Sequence, residues 1–353
     1  VGGFEPRAKC WDAYGPEGDR PFLEMPEDWE QFTPFMEAAL ALIPGLERVG
    51  IQHFMNGPES FTVDSRMLAG HAPMDLWEVD VARADPLAAA ADHVQARMEE
   101  AVADVFALHW PFKQPKAGRG LRKSVLHDLW AAEGAVFGLT AGWERGLWYA
   151  HDALERDLPY STGAQPWFPI VQREAAMMAA GTALLDLSPF GKFDISGPDA
   201  LRFVQHIATA NMDVSPGRAV YTMLLNDRGG IEGDVTILRH AADRFRLVSG
   251  AATRWRDGAW LRRSATGFDV TIGDATESEA VIGVMGAGSR ATLAALSPDD
   301  WQDFPFSTAR AVTVAGQPCV AQRVSFVGEL GWELYIPAAH AAAVFRALAA
   351  AGA

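Results

Sequence analysis

One acidic residue stands among apolar residues in a segment with the alternation of a β-strand. Asp234 is followed by Val235 and, two residues later, by Ile237. A carboxylate in this setting is expected to be partly buried, and a buried acid needs a hydrogen-bond partner or a chemical task. Tyr221, in the preceding apolar segment, is expected to reach the same pocket. Two interpretations of Asp234 stay open: a catalytic acid or base, and an acid that satisfies neighbouring backbone groups.

Glu333 has a similar setting, between Trp332 and Leu334 in the segment GELGWELY, residues 328–335. Two carboxylates on separate strands are typical of glycoside hydrolases, which use one as an acid and the other as a base or nucleophile. They can equally be unrelated structural acids. If the chain were a hydrolase, aromatic residues should form a cleft near Asp234 and Glu333. The twelve tryptophans are instead scattered along the chain, which fits a role in core packing better than a role in such a cleft.

A β-hairpin must position Asp234. Val220 to Leu225 is apolar and β-prone, and Ile231 to Leu238 alternates apolar with polar residues. Between them, Asn226 to Gly230 is rich in residues that form tight turns. Arg244 to Ser249 is expected to pair with the hairpin as a further strand.

The rest of the chain predicts helices interleaved with strands. Helices are predicted within 29–46, where Pro44-Gly45 ends the helix, and at 85–108, 168–185, 199–208 and 252–263, where apolar residues recur at helical spacing or helix-forming residues dominate. Further strands are predicted at 191–195, 269–272, 280–285 and 319–325.

The composition limits the classes of partner. The chain has 353 residues, 49% hydrophobic and 21% charged, which suits a globular protein of two or three domains. A formal net charge of -15 argues against a nucleic-acid partner and against an anionic membrane surface. Cys10 and Cys319 lie far apart, without the spacing of a metal site or a disulfide framework. We therefore expect a cytoplasmic protein without a metal ion, and an oligomer is compatible with the sequence.

Between residues 187 and 337 the chain contains the segments SPFGKFDISGPDA, VYTMLLNDRGGIEGDVTI and RVSFVGELGWELYIP. Together they resemble the aminomethyltransferase family, the tetrahydrofolate-binding T-protein of the glycine cleavage system, and its fused relatives in dimethylglycine and sarcosine dehydrogenases. Upstream, NGPESFTVDSRMLAGHAP resembles the end of the oxidase domain of those FAD-dependent enzymes. The strings HWPFKQP, AGRGLRKSVLH and AGWER resemble their small central domain.

The resemblance implies a role for four residues. Asp234 takes the position of the acid beside the reactive folate nitrogens, and is the implied catalytic residue. Tyr221 takes that of a tyrosine that approaches the folate, and Glu333 that of a glutamate that holds the pterin ring. Phe326 stands where the family commonly has tyrosine, so one hydroxyl group near the folate is lost.

The resemblance also implies an FAD-dependent oxidoreductase acting on an N-methyl amine such as dimethylglycine or sarcosine. The folate domain would capture the released one-carbon unit as 5,10-methylenetetrahydrofolate. The chain contains no G-x-G-x-x-G after a strand, and the family segment that closes over the flavin after LxGxAP is missing. We therefore expect a part of a longer polypeptide that does not retain FAD by itself and binds folate weakly. A non-catalytic folate-fold module for binding or assembly is the alternative.

The implied fold class is a multidomain α+β or α/β protein. Residues 1–75 are expected to be the C-terminal remnant of an FAD-dependent oxidoreductase domain, and residues 76–150 its central domain. Residues 151–353 are expected to form an aminomethyltransferase folate-binding domain, with mixed sheets and flanking helices, truncated at its C-terminus.

Overall fold

The structure is a computed structural model that describes residues 25–51, 53–56, 86–105, 107–108, 110–325 and 328–352. Phe326 and nearly all of the segment NGPESFTVDSRMLAGHAP lie outside these residues. The chain divides into two units between Leu121 and Arg122, and each unit is described by itself.

The first unit contains two of the predicted helices. The first ends before Pro44, as predicted, and the second is shorter than predicted. Helix α1 spans Trp29–Leu42 and begins after Asp28, whose carboxylate accepts a hydrogen bond from the Gln31 backbone N–H at 3.0 Å. It ends before a 3₁₀ turn at Pro44–Arg48, because proline has no N–H to continue the helical ladder. Helix α2 spans Ala91–Ala103 and follows a 3₁₀ turn at Pro86–Ala89.

The second unit combines helices with antiparallel sheets. Its helices are α3 (His127–Ala132), α4 (Phe168–Ala180), α5 (Ala200–Ile207), α6 (Arg254–Ser264), α7 (Ser289–Leu296) and α8 (Ala338–Ala350). Its strands are β1 (Ala135–Thr140), β2 (Trp143–Tyr149), β3 (Ala183–Asp186), β4 (Gly191–Ser196), β5 (Ala219–Leu225), β6 (Ile231–Ala241), β7 (Arg244–Ser249), β8 (Thr271–Asp274), β9 (Glu279–Met285), β10 (Thr308–Val314), β11 (Gln317–Arg323) and β12 (Gly331–Pro337).

Two five-stranded sheets form the centre of this unit. Sheet A has the strand order β5-β6-β7-β4-β8, and sheet B has the order β10-β11-β12-β9-β3. Strands β1 and β2 form a separate hairpin. The predicted combination of sheets with flanking helices is confirmed, and the ladders between these strands are antiparallel.

Each sheet buries one face under helices and turns its other face toward the second sheet. Phe193 and Leu247 of sheet A belong to a core with residues of α5 and α6, and Trp332 of sheet B belongs to a core with residues of α7 and α8. Because side chains alternate along a strand, the neighbouring residues point the other way. There, Val248 of sheet A packs with Val281 and Tyr335 of sheet B. We call these two facing surfaces the inner faces.

One predicted helix differs from the structure at its C-terminal end. Helix α4 ends at Ala180, and the end of the predicted helix at 168–185 forms β3, which pairs with β9. Residues 122–150 pack within the second unit, where the Trp130 ring lies 4.6 Å from the Phe345 ring. The domain limits 1–75, 76–150 and 151–353 stay a prediction.

No helix within the described ranges is both long enough and apolar enough to cross a lipid bilayer.

Candidate functional site

The hairpin that carries Asp234 is closed by an asparagine turn. The Asn226 side-chain Oδ1 accepts hydrogen bonds from the backbone N–H groups of Arg228 at 3.0 Å and Gly230 at 2.9 Å. Gly229 has a φ of 77°, in the left-handed region that favours glycine. This turn sets the register of β5 and β6, in which Asp234 lies opposite Met223.

Tyr221 and Asp234 form a hydrogen-bonded pair on this hairpin. The Tyr221 hydroxyl donates to Asp234 Oδ2 at 3.1 Å, and the hydrogen bond to the acid raises the pKa of Tyr221. The contact expected between these residues is present. The expected partial burial of Asp234 is wrong, because Val235 faces the core while Asp234 points to the opposite face and is exposed. Tyr221 is 63% exposed.

Glu333 is buried, as its sequence setting predicts. It lies on β12 between β11 and β9, and its side chain is 8% exposed. The Tyr335 hydroxyl donates to Glu333 Oε2 at 2.7 Å. Burial raises the pKa of Glu333, and the hydrogen bond from Tyr335 offsets only a part of this effect. Burial likewise raises the pKa of Tyr335.

A buried arginine supports Tyr335 from the neighbouring sheet. The Arg246 guanidinium lies 5.8 Å from the centre of the Tyr335 ring. It donates to both carboxylate oxygens of Asp194 at 2.8 and 2.9 Å, and to Glu279 at 2.5 Å. The bidentate geometry holds the guanidinium in one orientation. The Tyr335 ring therefore packs against a fixed charged group, and the Tyr335 hydroxyl in turn donates to the Glu333 carboxylate.

The inner faces carry Tyr221, Asp234 and Glu333, the predicted site residues that lie within the described parts of the chain. Tyr221 pairs with Thr236, and Thr236 pairs with Val248, so Tyr221 and Val248 share one face of sheet A. Asp234, two residues before Thr236 on β6, shares that face. Val248 packs with Tyr335, which lies two residues after Glu333 on β12. The pair at Asp234 and the buried Glu333 are thus on facing surfaces.

Two glycines leave space for apolar side chains beside Glu333. Met285 Sδ occupies the position that a Cβ atom at Gly331 would take, and Leu187 Cδ1 lies 3.1 Å from the Cβ position of Gly283. Gly283 is the direct partner of Glu333 on β9. Apolar atoms of Met285 and Leu187 therefore lie beside Glu333 on this face.

Glu333 keeps acceptor capacity for a ligand. Within residues 110–325 and 328–352, its carboxylate accepts one side-chain hydrogen bond, on Oε2 from Tyr335. An ionised carboxylate can accept about four hydrogen bonds. It can therefore accept further N–H donors from a ligand.

Two buried polar residues near the site were missed by the sequence interpretation. Gln322 is the direct partner of Glu333 on β11, and Lys192 is fully buried on β4. The sequence carries a weak signal for Lys192, a cation between apolar strand residues. It carries none for Gln322, because its position beside Glu333 depends on the pairing of two strands.

The chain belongs to the family described as "GCVT N-terminal domain", whose model matches residues 126–353. A second model, "FAD dependent oxidoreductase central domain", matches residues 69–124. Both agree with the resemblance found in the sequence.

The relatives are enzymes longer than this chain. The chain is 37% identical to the 4-methylaminobutanoate oxidase (formaldehyde-forming) of Paenarthrobacter nicotinovorans, over 96% of the chain and 47% of that protein. It is 30% identical to the mitochondrial sarcosine dehydrogenase of Homo sapiens, over 100% of the chain and 47% of that protein. The chain thus spans about half the length of these curated relatives.

A solved structure supports the fold assignment. The aminomethyltransferase T of the glycine cleavage system from Bartonella henselae matches with a TM-score of 0.54 and 25% identity. The match covers 64% of this chain and 56% of that structure. The aminomethyltransferase fold expected from the sequence is confirmed.

Proposed function

We propose that residues 122–353 form the tetrahydrofolate-binding part of an FAD-dependent enzyme that oxidises an N-methyl amine. In this proposal the released one-carbon unit is captured as 5,10-methylenetetrahydrofolate. The names of the two relatives, an oxidase of a methylamino acid and a sarcosine dehydrogenase, support the substrate class. FAD is proposed for the whole enzyme, and no residue of this chain is assigned to it.

The burial of Glu333 is the observation that carries the proposal. A buried glutamate with a raised pKa and one side-chain hydrogen bond lowers the stability of the fold, because its charge is desolvated without full compensation. A pterin presents its 2-amino group and its N3–H side by side. One carboxylate accepts both in a charge-assisted, bidentate arrangement, and this would hold Glu333 ionised.

Asp234 and Tyr221 would act from the inner face of sheet A, which faces Glu333. When bound, tetrahydrofolate supplies the amine nitrogens that take up the one-carbon unit. Asp234, which is exposed on the inner face of sheet A, would accept the proton that such a nitrogen loses when its bond to carbon forms. The hydrogen bond from Tyr221 leaves the second oxygen of Asp234 for this task.

Titration calorimetry of the 353-residue chain with tetrahydrofolate tests the proposal. Glu333→Gln keeps the shape of the side chain but replaces one acceptor oxygen with a donor. We expect it to weaken binding by about 2 to 3 kcal/mol, or roughly 30- to 150-fold. Glu329→Gln makes the same chemical change in the same segment and serves as the control.

Two results would contradict the proposal. One is wild-type protein that does not bind tetrahydrofolate, which would favour a non-catalytic folate-fold module. The other is equal affinity of wild type and Glu333→Gln, which would remove Glu333 from the site.

A further inference from the structure

Gln322 and Glu333 form a direct cross-strand pair on the inner face of sheet B. They are register partners in the antiparallel ladder between β11 and β12. Side chains of such partners lie on the same face, with Cβ atoms about 4.5 to 5.5 Å apart. Val320 and Tyr335 are the next pair on that face, which confirms the orientation of Gln322 toward sheet A.

The Gln322 amide is buried and has no hydrogen-bond partner among the described residues. The residue is 1% exposed, and no hydrogen bond joins its side chain to any residue in the described parts of the chain. None of its amide atoms is completely sealed from solvent. The amide therefore keeps a small contact with solvent on the inner face of sheet B, next to Glu333. An amide with so little access to water is poorly hydrated, so a ligand that supplies a hydrogen-bond partner would stabilise it.

The pair matches the edge of a pterin. That edge presents three groups in a row: the 2-amino donor, the N3–H donor and the 4-oxo acceptor. Glu333 supplies acceptors only, whereas a glutamine amide also supplies N–H donors. Two side chains with this spacing can offer two acceptor oxygens followed by one donor, which is the complementary pattern.

We propose that Gln322 is a second pterin-binding residue, whose amide N–H donates to the 4-oxo oxygen while the neighbouring Glu333 accepts from the 2-amino group and N3–H. This inference rests on the proposed function. It adds a residue that donates a hydrogen bond to the oxygen at position 4 of the ring.

Gln322→Met tests the inference, because methionine has a similar volume and no donor. We expect about tenfold weaker binding of tetrahydrofolate, the effect of one neutral hydrogen bond. We expect the same factor for tetrahydropterin, which lacks the rest of folate. The melting temperature of the ligand-free variant should equal or exceed that of wild type, because an unpartnered amide has been removed. Gln317→Met, on the same strand, is the matched control for both measurements.

The possible outcomes separate the two proposals. Unchanged folate affinity in Gln322→Met, together with loss of binding in Glu333→Gln, overturns this inference alone. A variant that loses stability and affinity together assigns Gln322 a structural role, and a loss for tetrahydrofolate but not tetrahydropterin places the contact outside the ring. Either result overturns the inference. Wild-type protein that binds neither ligand overturns both proposals.

A second variant covers a failure of Gln322→Met to fold. Gln322→Asn keeps the amide but withdraws it by one methylene group, so its donor no longer reaches the ring. We expect a similar loss of affinity for both ligands, and unchanged affinity would overturn the inference.

Discussion

Lys192 is a cation that the fold buries completely, and its removal should change how stability depends on pH. Its side chain is 0% exposed, and Nζ donates to the backbone carbonyl oxygens of Ser188 at 2.8 Å and Phe190 at 3.2 Å. These carbonyls belong to the segment that leads from β3 in sheet B to β4 in sheet A. Burial lowers the pKa of Lys192 from its ordinary 10.5 to about 8.

The size of the effect follows from this difference in pKa. A fall from 10.5 to about 8 disfavours the charged form in the folded state by about 3 kcal/mol. Between these two pH values the unfolded chain binds more protons than the folded one. The free energy of unfolding therefore rises with pH across this window, and the destabilisation by Lys192 is complete at pH 7.

The perturbation is Lys192→Met, which has a similar length and no charge. The variant loses the two hydrogen bonds at every pH, so its stability at one pH is not informative. We expect instead that wild type gains about 3 kcal/mol relative to Lys192→Met when the pH is raised from 7 to 11.

Urea unfolding followed by tryptophan fluorescence at several pH values measures this difference. Lys123→Met, at an exposed lysine, is the matched control for the loss of a lysine. Parallel curves for wild type and Lys192→Met would refute the reasoning, because they would show that Lys192 has the same proton affinity in both states.

Two further predictions concern the candidate site. Tyr221→Phe removes the hydrogen bond to the exposed Asp234. We expect the free energy of unfolding to change by less than about 0.5 kcal/mol, whereas folate-dependent capture of formaldehyde falls. A large loss of stability in a thermal melt would show a structural role instead. Because burial raises the pKa of Glu333 and pterin binding needs its ionised form, tetrahydrofolate affinity should fall as the pH is lowered through that pKa, with proton release on binding detected by calorimetry in two buffers. The fall should be absent in Glu333→Gln, and a profile shared by both proteins would exclude Glu333 as its source.

Sequence patterns predicted the structure correctly where it depends on residues close together in the chain. The hairpin of β5 and β6, its asparagine–glycine turn and the pairing with β7 are all present. These patterns failed where the choice depends on distant partners. Residues 183–186 form β3 instead of the end of a helix, because β9 offers a strand with which they can pair. Tertiary context of this kind overrides local propensity.

The burial of the two acids shows the same distinction. Both lie in apolar segments, yet Asp234 is exposed and Glu333 is buried. On β6, alternation points Asp234 away from the helix-covered core, toward an inner face that is open at that point. Strand β12 is buried on both faces, so alternation cannot expose Glu333.

The sequence by itself determined the family, the elements that carry the site and the identity of Asp234, Tyr221 and Glu333 as its candidates. The elements follow from periodicity within single segments, and the family and the roles of the candidate residues follow from the resemblance that the motifs carry. Only the tertiary structure decided which side chains face one another across the two sheets. It placed the amide of Gln322, which has no hydrogen-bond partner among the described residues, beside Glu333. The physical reason is that strand register and sheet packing join residues far apart in the chain, and no single segment contains that information.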